Sequence, residues 1–351
     1  MIRFSELARR NERSAEKLVA AAARVIASGR YILGPEVEAF ERAWAAYCGT
    51  RYCVGVACGM DAITIALMTV APSVVLRGEV IVPAATCLPT FLAVTRAGGI
   101  PVPVDIDADG DMDPGAVCKA ITPNTVAILP VHLYGRAANL AAIFAMAEMR
   151  GLPVVTDAAQ GHGLRVIGTT AFSFYPTKNL GGVGDGGAIV TNDARDAQHM
   201  RTLRFMGQGE IIGLNSRLDE LQAALLLAKL DGLDEENARR RAQALAYDSR
   251  LTGCAVKRPR INDASVWHQY VIRHPRRDEL RANLLIDRGI ETMPHYATPP
   301  HLMKAYAHLG YGVGSFPKAE SLFRECLSLP IGGEVSDEEL AEVASAVRAL
   351  A

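Results

Sequence analysis

Short β-prone runs alternate with helical patterns along the first two thirds of the chain, and this alternation limits the available folds more than any other feature. The runs cover residues 52–57, 79–83, 100–105, 125–131, 153–157 and 188–192. A strand, a helix and a second strand in this order form a crossover connection, so the strands pair in parallel and helices cover both faces of the sheet. We therefore predict an α/β fold whose large domain is built on a mostly parallel sheet.

The last third of the chain has a different pattern. Residues 219–251 predict a long helical region, residues 267–273 alternate like a half-buried strand, residues 276–288 predict a helix, and Ser336 is expected to cap a final helix. Because single hydrophobic cores stop growing near ~250–300 residues, we expect two domains. The predicted large domain spans residues 1–235, with an N-terminal helix that packs on the other domain, and a smaller C-terminal α+β domain spans residues 236–351.

Lys178 and Asp157 are the strongest candidates for catalytic residues. Asp157 ends an apolar run that predicts a buried parallel strand, and acids at such strand ends face ligands. Lys178 follows a second β-prone run, and Pro176 predicts a loop around it. A lysine amine for a Schiff base and a carboxylate for the pyridine nitrogen are what pyridoxal 5'-phosphate (PLP) requires of a protein.

A phosphate group would fit the start of the helix predicted over residues 62–70. Gly59 allows close approach of the backbone, and the free N–H groups at a helix N-terminus, including that of Met60, attract an anion. The hydroxyl of Ser173 is expected to bind the phosphate from the other side.

These motifs together resemble the DegT/DnrJ/EryC1/StrS aminotransferases. The resemblance rests on Asp-Ala-Ala-Gln-Gly-His-Gly (157–163), Ser-Phe-Tyr-Pro-Thr-Lys-Asn-Leu (173–180) and Gly-Asp-Gly-Gly-Ala (184–188). Residues 29–35 with 40–41, and residues 215–224, match the family's N-terminal motif and its dimer-crossing loop and helix. The resemblance implies a fold-type I PLP enzyme that acts mainly on keto sugars attached to nucleotides, and on some cyclitols.

The resemblance also assigns roles to residues. It implies that Lys178 forms the Schiff base and moves a proton, that Asp157 holds the pyridine nitrogen, and that Gln160 bonds the phenolic oxygen of the cofactor. Asn215 is expected to reach the phosphate in the neighbouring subunit, which implies a homodimer with shared active sites. His295 and Tyr296, in a proline-containing loop, are expected to line the substrate site.

The chain departs from the family pattern at positions that face the cofactor. Cys58-Gly59-Met60 stands where Ser-Gly-Thr is usual, and Cys87 stands where an aromatic residue commonly stacks on the ring. A third departure, apart from these two, is Met206-Gly207, where His-Gly is common. Backbone amides remain at the phosphate site and a thiol packs against a ring face, so we expect weaker or differently shaped PLP binding.

Composition and charge exclude several classes of protein. The net charge of −1 gives no basic surface for nucleic acid. Seven cysteines without a Cys-x-x-Cys pair argue against a disulfide framework and a structural zinc site. His295 and His301 lie six residues apart in a predicted loop, a spacing that is poor for binding a metal ion. No leader-like segment and no apolar run of ~18 residues occurs, so we expect a cytoplasmic protein without membrane contact, whose partners are small molecules.

Three functional hypotheses remain open. In the first, an amino acid, by analogy L-glutamate, converts the cofactor to pyridoxamine 5'-phosphate, which then aminates a keto group on a nucleotide-linked sugar. In the second, the acceptor is a keto-cyclitol. In the third, suggested by Met60 and Cys87, the chain is a cofactor-poor subunit that supports a partner.

Overall fold

The computed structural model describes residues 1–351 and has a mixed β-sheet at its centre. A three-stranded sheet of order β3-β2-β4 and a four-stranded sheet of order β5-β6-β7-β1 are joined by parallel bridges between Ile128 and Val154 and between Val131 and Asp157. The strands are β1 (Tyr52–Val56), β2 (Glu79–Pro83), β3 (Ile100–Val104), β4 (Thr125–Ile128), β5 (Val155–Asp157), β6 (Thr169–Ser173) and β7 (Gly187–Thr191).

Within the central sheet, only β7 runs in the direction opposite to the other six strands. It pairs with β1 on one side and β6 on the other, while β2 with β3, β2 with β4, and β5 with β6 pair in parallel. The predicted mostly parallel sheet is therefore confirmed, and the carboxyl ends of β1, β5 and β6 lie at one edge.

Helices cover the sheet. The first part of the chain contains α1 (Leu7–Glu12), α2 (Ala15–Ser28), α3 (Pro35–Cys48), α4 (Gly59–Val70), α5 (Leu88–Arg96), α6 (Pro114–Ala120), α7 (Ala141–Arg150) and α8 (Ala194–Arg204). The remainder contains α9 (Glu220–Leu230), α10 (Leu233–Arg250), α11 (Arg277–Arg288), α12 (Pro317–Glu325) and α13 (Asp337–Leu350).

An aromatic cluster holds the carboxyl end of β6 in place. Trp44 of α3 contacts Phe172 and Phe174 edge to face, with ring centroids 5.1 and 5.4 Å apart. All three rings are buried, and such edge-to-face pairs add to the gain from burial. The cluster therefore fixes the direction in which the chain leaves β6 towards Lys178.

The C-terminal third contributes a second hydrophobic core. The antiparallel strands β8 (Tyr270–Arg273) and β9 (Cys326–Leu329) pack there with α10, α11 and α13. Ile2 joins this core and pairs with Ile290, and Arg9 of α1 forms a 2.9 Å ion pair with Glu339. The division into units of residues 1–235 and 236–351 stays a prediction.

Three local predictions about the last third have definite outcomes. The helical region over 219–251 is two helices, because the chain turns at Asp231 and Gly232 and glycine disfavours a helix interior. The strand predicted over 267–273 begins only at Tyr270, since the left-handed backbone of Trp267 (φ 47°) cannot continue a strand. Ser336 caps α13, as predicted, and the structure adds a capping box with Glu339.

No helix combines the length with the apolar character that crossing a bilayer requires.

Candidate active site

A cavity of 620 Å³ opens at the sheet edge where β1, β5 and β6 end. The structure brings nine of the ten predicted site residues to its wall. They are Gly59, Met60, Cys87, Asp157, Gln160, Ser173, Lys178, His295 and Tyr296. Residues from distant parts of the sequence therefore form one site, and we call it the active-site cavity.

Lys178 lies in the turn-rich loop between β6 and β7, as predicted. Burial lowers the pKa of its ammonium group, while the nearby Cys87 and Asp157 oppose this shift. The next residue, Asn179, is buried and donates from Nδ2 to Asn237 Oδ1 and to the carbonyl of Val266, both at 2.8 Å. These bonds hold the loop and so position the amine, while its burial shifts it towards the neutral form.

Asp157 ends β5 and is 4% exposed. Its Oδ2 accepts a 2.9 Å hydrogen bond from the Thr90 hydroxyl, and its Oδ1 accepts a 3.0 Å hydrogen bond from the Ala159 N–H. Burial raises the pKa of Asp157, and the two donors together with Lys178 oppose the rise. The buried carboxylate would be stabilised further by a cationic partner in the cavity.

Gly59 is required by close packing at the start of α4. A Cβ at this position would lie 2.5 Å from the Cβ of Ser173 and 3.1 Å from its Oγ. The helix N-terminus therefore meets the end of β6 directly, and the first-turn N–H groups of Gly59 and Met60 have no partner within the helix. Together with the Ser173 hydroxyl they form a cradle suited to an anion.

Cys87 precedes α5 and lines the active-site cavity. Burial raises the pKa of its thiol, whereas the neighbouring Tyr296 hydroxyl and the charge of Lys178 lower it. The side chain at position 87 is thus close to both the lysine and the loop that carries His295 and Tyr296. This placement is compatible with the predicted slot over the cofactor ring.

Gln160, Tyr134, His295 and Tyr296 form a polar wall. Gln160 Nε2 donates to the Tyr296 hydroxyl at 3.0 Å, and its Oε1 accepts from the Tyr134 N–H. The Tyr134 hydroxyl donates to the His295 carbonyl, and His295 Nδ1 lies 2.9 Å from Ser328 Oγ. Burial lowers the pKa of His295 to about 4, so this imidazole is neutral at pH 7.

Asn215 lies outside the active-site cavity. It is exposed, and its backbone pairs with Phe205 in an isolated bridge. His301 is also separate, since it is buried and lies 3.4 Å from Glu320. No group of three or more histidine, cysteine or acidic side chains has the geometry to hold a metal ion.

The family model described as the DegT/DnrJ/EryC1/StrS aminotransferase family matches residues 12–348. The chain belongs to this family. It is 47% identical to the dTDP-3-amino-3,4,6-trideoxy-alpha-D-glucose transaminase of Streptomyces venezuelae, over 94% of this chain and 90% of the relative. It is 41% identical to the dTDP-3-amino-3,6-dideoxy-alpha-D-galactopyranose transaminase of Aneurinibacillus thermoaerophilus, over 99% of each.

A solved structure is equally similar. The crystal structure of S. venezuelae DesV in complex with a ketimine intermediate is 46% identical and has a TM-score of 0.94. The match covers 98% of this chain and 96% of that one. The protein is therefore a PLP-dependent aminotransferase with the fold-type I architecture predicted from its sequence.

The residues of this family member fit PLP. The cradle at Gly59 and Ser173 suits its phosphate, the buried carboxylate of Asp157 suits its pyridine nitrogen, and Lys178 suits its aldehyde. When bound, PLP supplies an aldehyde for the amino group and a ring that draws electrons away from the substrate carbon. With PLP bound there, the buried amine of Lys178 would be placed to move a proton, and the Asp157 carboxylate would favour the protonated pyridine.

Sequence reasoning missed Thr90, His268 and Gln269, which also line the cavity. Thr90 lies in the first turn of α5 whereas Thr86 lies before that helix, so their spacing is not a helix-face signal; their hydroxyls are 2.7 Å apart. His268 and Gln269 come from the segment before β8 and carry no local signal. Gln269 is 7% exposed and its Oε1 has no hydrogen-bond partner.

Proposed function

We propose that this protein transfers an amino group from L-glutamate to carbon 3 of a keto sugar linked to a nucleoside diphosphate. Both transaminase relatives act in the formation of dTDP-linked 3-amino sugars, and each match covers at least nine tenths of both chains. Identities above 40% over such lengths support a shared class of acceptor. The glutamate donor is carried over from the family resemblance.

The observation that carries the proposal is the meeting of Lys178 and Asp157 in one cavity at the carboxyl edge of the sheet. We assign Lys178 to cofactor attachment and to proton transfer at the substrate carbon, because burial favours its neutral amine. We assign Asp157 to the pyridine nitrogen, Gln160 to the phenolic oxygen, and Gly59, Met60 and Ser173 to the phosphate. His295 and Tyr296 are assigned to the substrate.

A substrate panel tests the acceptor. Purified holoenzyme with glutamate would be given a dTDP-3-keto-6-deoxyhexose, a UDP-linked 3-keto sugar and a keto-cyclitol, and 2-oxoglutarate release would be measured. We expect the highest kcat/KM with the dTDP sugar and no turnover by a Lys178→Ala variant. Turnover of the keto-cyclitol alone would contradict the proposed acceptor and favour the alternative.

We also propose a homodimer in which Asn215 reaches the phosphate site of the partner subunit. Asn215 is exposed and lies outside its own cavity. Nearby Met206, Ile211 and Ile212 expose 53%, 40% and 91% of their surface. An exposed apolar patch of this kind is typical of a protein interface.

A further inference from the structure

A second cavity, of 220 Å³, lies behind the loop that carries Lys178. It is lined by Arg10, Arg13, Lys229, Glu235, Glu236 and Arg239, among other residues. None of its lining residues belongs to the active-site cavity. We call it the cationic cavity.

The charges of the cationic cavity are not balanced. Four cations and two carboxylates line it, which leaves a net charge of 4 − 2 = +2. Glu236 lies 3.9 Å from Arg10 but is bound more closely, at 2.7 Å, by Arg240 from outside the cavity. Arg13, Lys229 and Arg239 have no carboxylate partner; Lys229 and Arg239 bond only neutral oxygens.

Two of these cations donate hydrogen bonds to the loop that carries Lys178. Lys229 Nζ donates to the Gly181 carbonyl at 2.6 Å, and Arg10 donates to the Asn179 carbonyl. The Arg10 side chain is only 7% exposed. Burial and the charge of Arg10 lower the pKa of Lys229 to about 8, and burial and the charge of Arg240 lower that of Arg10. Positive charge is therefore concentrated in a partly dehydrated place, where Glu236 and Glu334 offset it only in part.

We propose that the cationic cavity binds a small oxyanion of the size and charge of inorganic phosphate. Its volume is below the roughly 300–1,000 Å³ of pockets for drug-sized ligands, which favours an ion over a nucleotide. Guanidinium groups bind phosphate oxygens well, and Arg13 and Arg239 supply two of them. The bound anion would offset the repulsion between Arg10 and Lys229 and so stabilise the loop between Asn179 and Gly181.

Calorimetric titration tests this proposal with PLP-loaded holoenzyme, in which the phosphate of PLP already occupies its own site. Inorganic phosphate would be titrated in a phosphate-free buffer at fixed ionic strength, with chloride as the control anion. We expect saturable phosphate binding, a rise in Tm with phosphate but not chloride, and no change in cofactor absorbance.

Matched variants locate the bound ion. Arg13→Gln should weaken phosphate binding by about tenfold or more, because a hydrogen bond to a charged group is lost. Glu235→Gln should tighten phosphate binding about threefold, since it removes an exposed negative charge that repels the anion. Arg150→Gln, an exposed substitution on α7, should change nothing.

Two results would overturn the proposal. One is the absence of saturable phosphate binding by the wild-type holoenzyme. The other is phosphate binding that responds to neither Arg13→Gln nor Glu235→Gln, which would place the ion elsewhere. The Glu235→Gln variant keeps the test decisive if Arg13→Gln folds poorly.

Discussion

The hydroxyl of Thr90 donates a 2.9 Å hydrogen bond to Oδ2 of Asp157 at the inner wall of the active-site cavity. Asp157 is buried, and its burial raises the pKa of the carboxyl group, while the bonds from Ala159 and Thr90 lower it. A hydrogen-bond donor binds a carboxylate more strongly than the protonated carboxylic acid, so it lowers the pKa. Thr90 therefore helps to keep Asp157 ionised where the cofactor's pyridine nitrogen is expected.

Replacing Thr90 by valine should move the acid side of the pH profile. Asp157 must be ionised to act, so activity is lost as the pH falls through its pKa. Without the Thr90 donor that pKa rises further, and the loss should begin at a higher pH than in wild type. The measurement is kcat/KM as a function of pH. We expect kcat/KM to fall about tenfold, because one hydrogen bond to a charged group is lost.

Thr69→Val is the matched control for Thr90→Val. The Thr69 hydroxyl bonds only the Ile65 carbonyl, at 2.8 Å within α4, and Thr69 is also buried. This variant should keep the wild-type pH profile. An unchanged acid limb in Thr90→Val would contradict the role given to this residue.

Gly59→Ala should destabilise the protein and weaken PLP binding together. The new Cβ would lie 2.5 Å from the Ser173 Cβ, so α4 or β6 must shift. Such overpacking costs about 1–3 kcal/mol of unfolding free energy. Denaturant unfolding of the PLP-free protein and a PLP titration measure the two effects. Gly312→Ala, where a Cβ meets nothing within 4 Å, is the control; equal effects in both variants would speak against the cradle.

Cys87→Phe should tighten PLP binding by roughly three- to tenfold, because an offset aromatic stack is worth about 0.5–1.5 kcal/mol. The ring would occupy space that the thiol leaves open, so affinity for the keto substrate should fall while the glutamate half-reaction is spared. Cys87→Leu, which is apolar but cannot stack, should not tighten PLP. Unchanged PLP affinity with a lower Tm in Cys87→Phe would mean that position 87 is not over the ring.

Mixing two inactive chains tests the shared active site. A Lys178→Ala chain and an Asn215→Ala chain should form hybrid dimers in which one of the two sites has both wild-type residues. We expect activity above that of either parent after the chains are mixed and allowed to exchange. Activity no higher than the better parent, although native mass spectrometry detects hybrids, would rule out the assignment of Asn215.

Much of the fold and site follows from local sequence patterns, and the exceptions have physical reasons. The strand before Asp157 and the loop around Lys178 were predictable, because an apolar run and Pro176 act locally. The left-handed backbone of Trp267 and the approach of His268 and Gln269 to the cavity depend on packing between distant segments. The role proposed for Asn215 would require a second subunit, which one chain's sequence indicates only by resemblance.

The most direct test of the account is the Lys178→Ala variant, assayed for overall transamination and for the absorbance of lysine-bound PLP near ~410–430 nm. We predict that the band disappears and that turnover falls at least ~10²-fold, the cost expected for removing a catalytic acid or base. PLP should still bind noncovalently, because Asp157, Ser173 and Gly59 remain. Turnover within about tenfold of wild type, or an unchanged absorbance band, would contradict the assignment of Lys178 as the catalytic lysine.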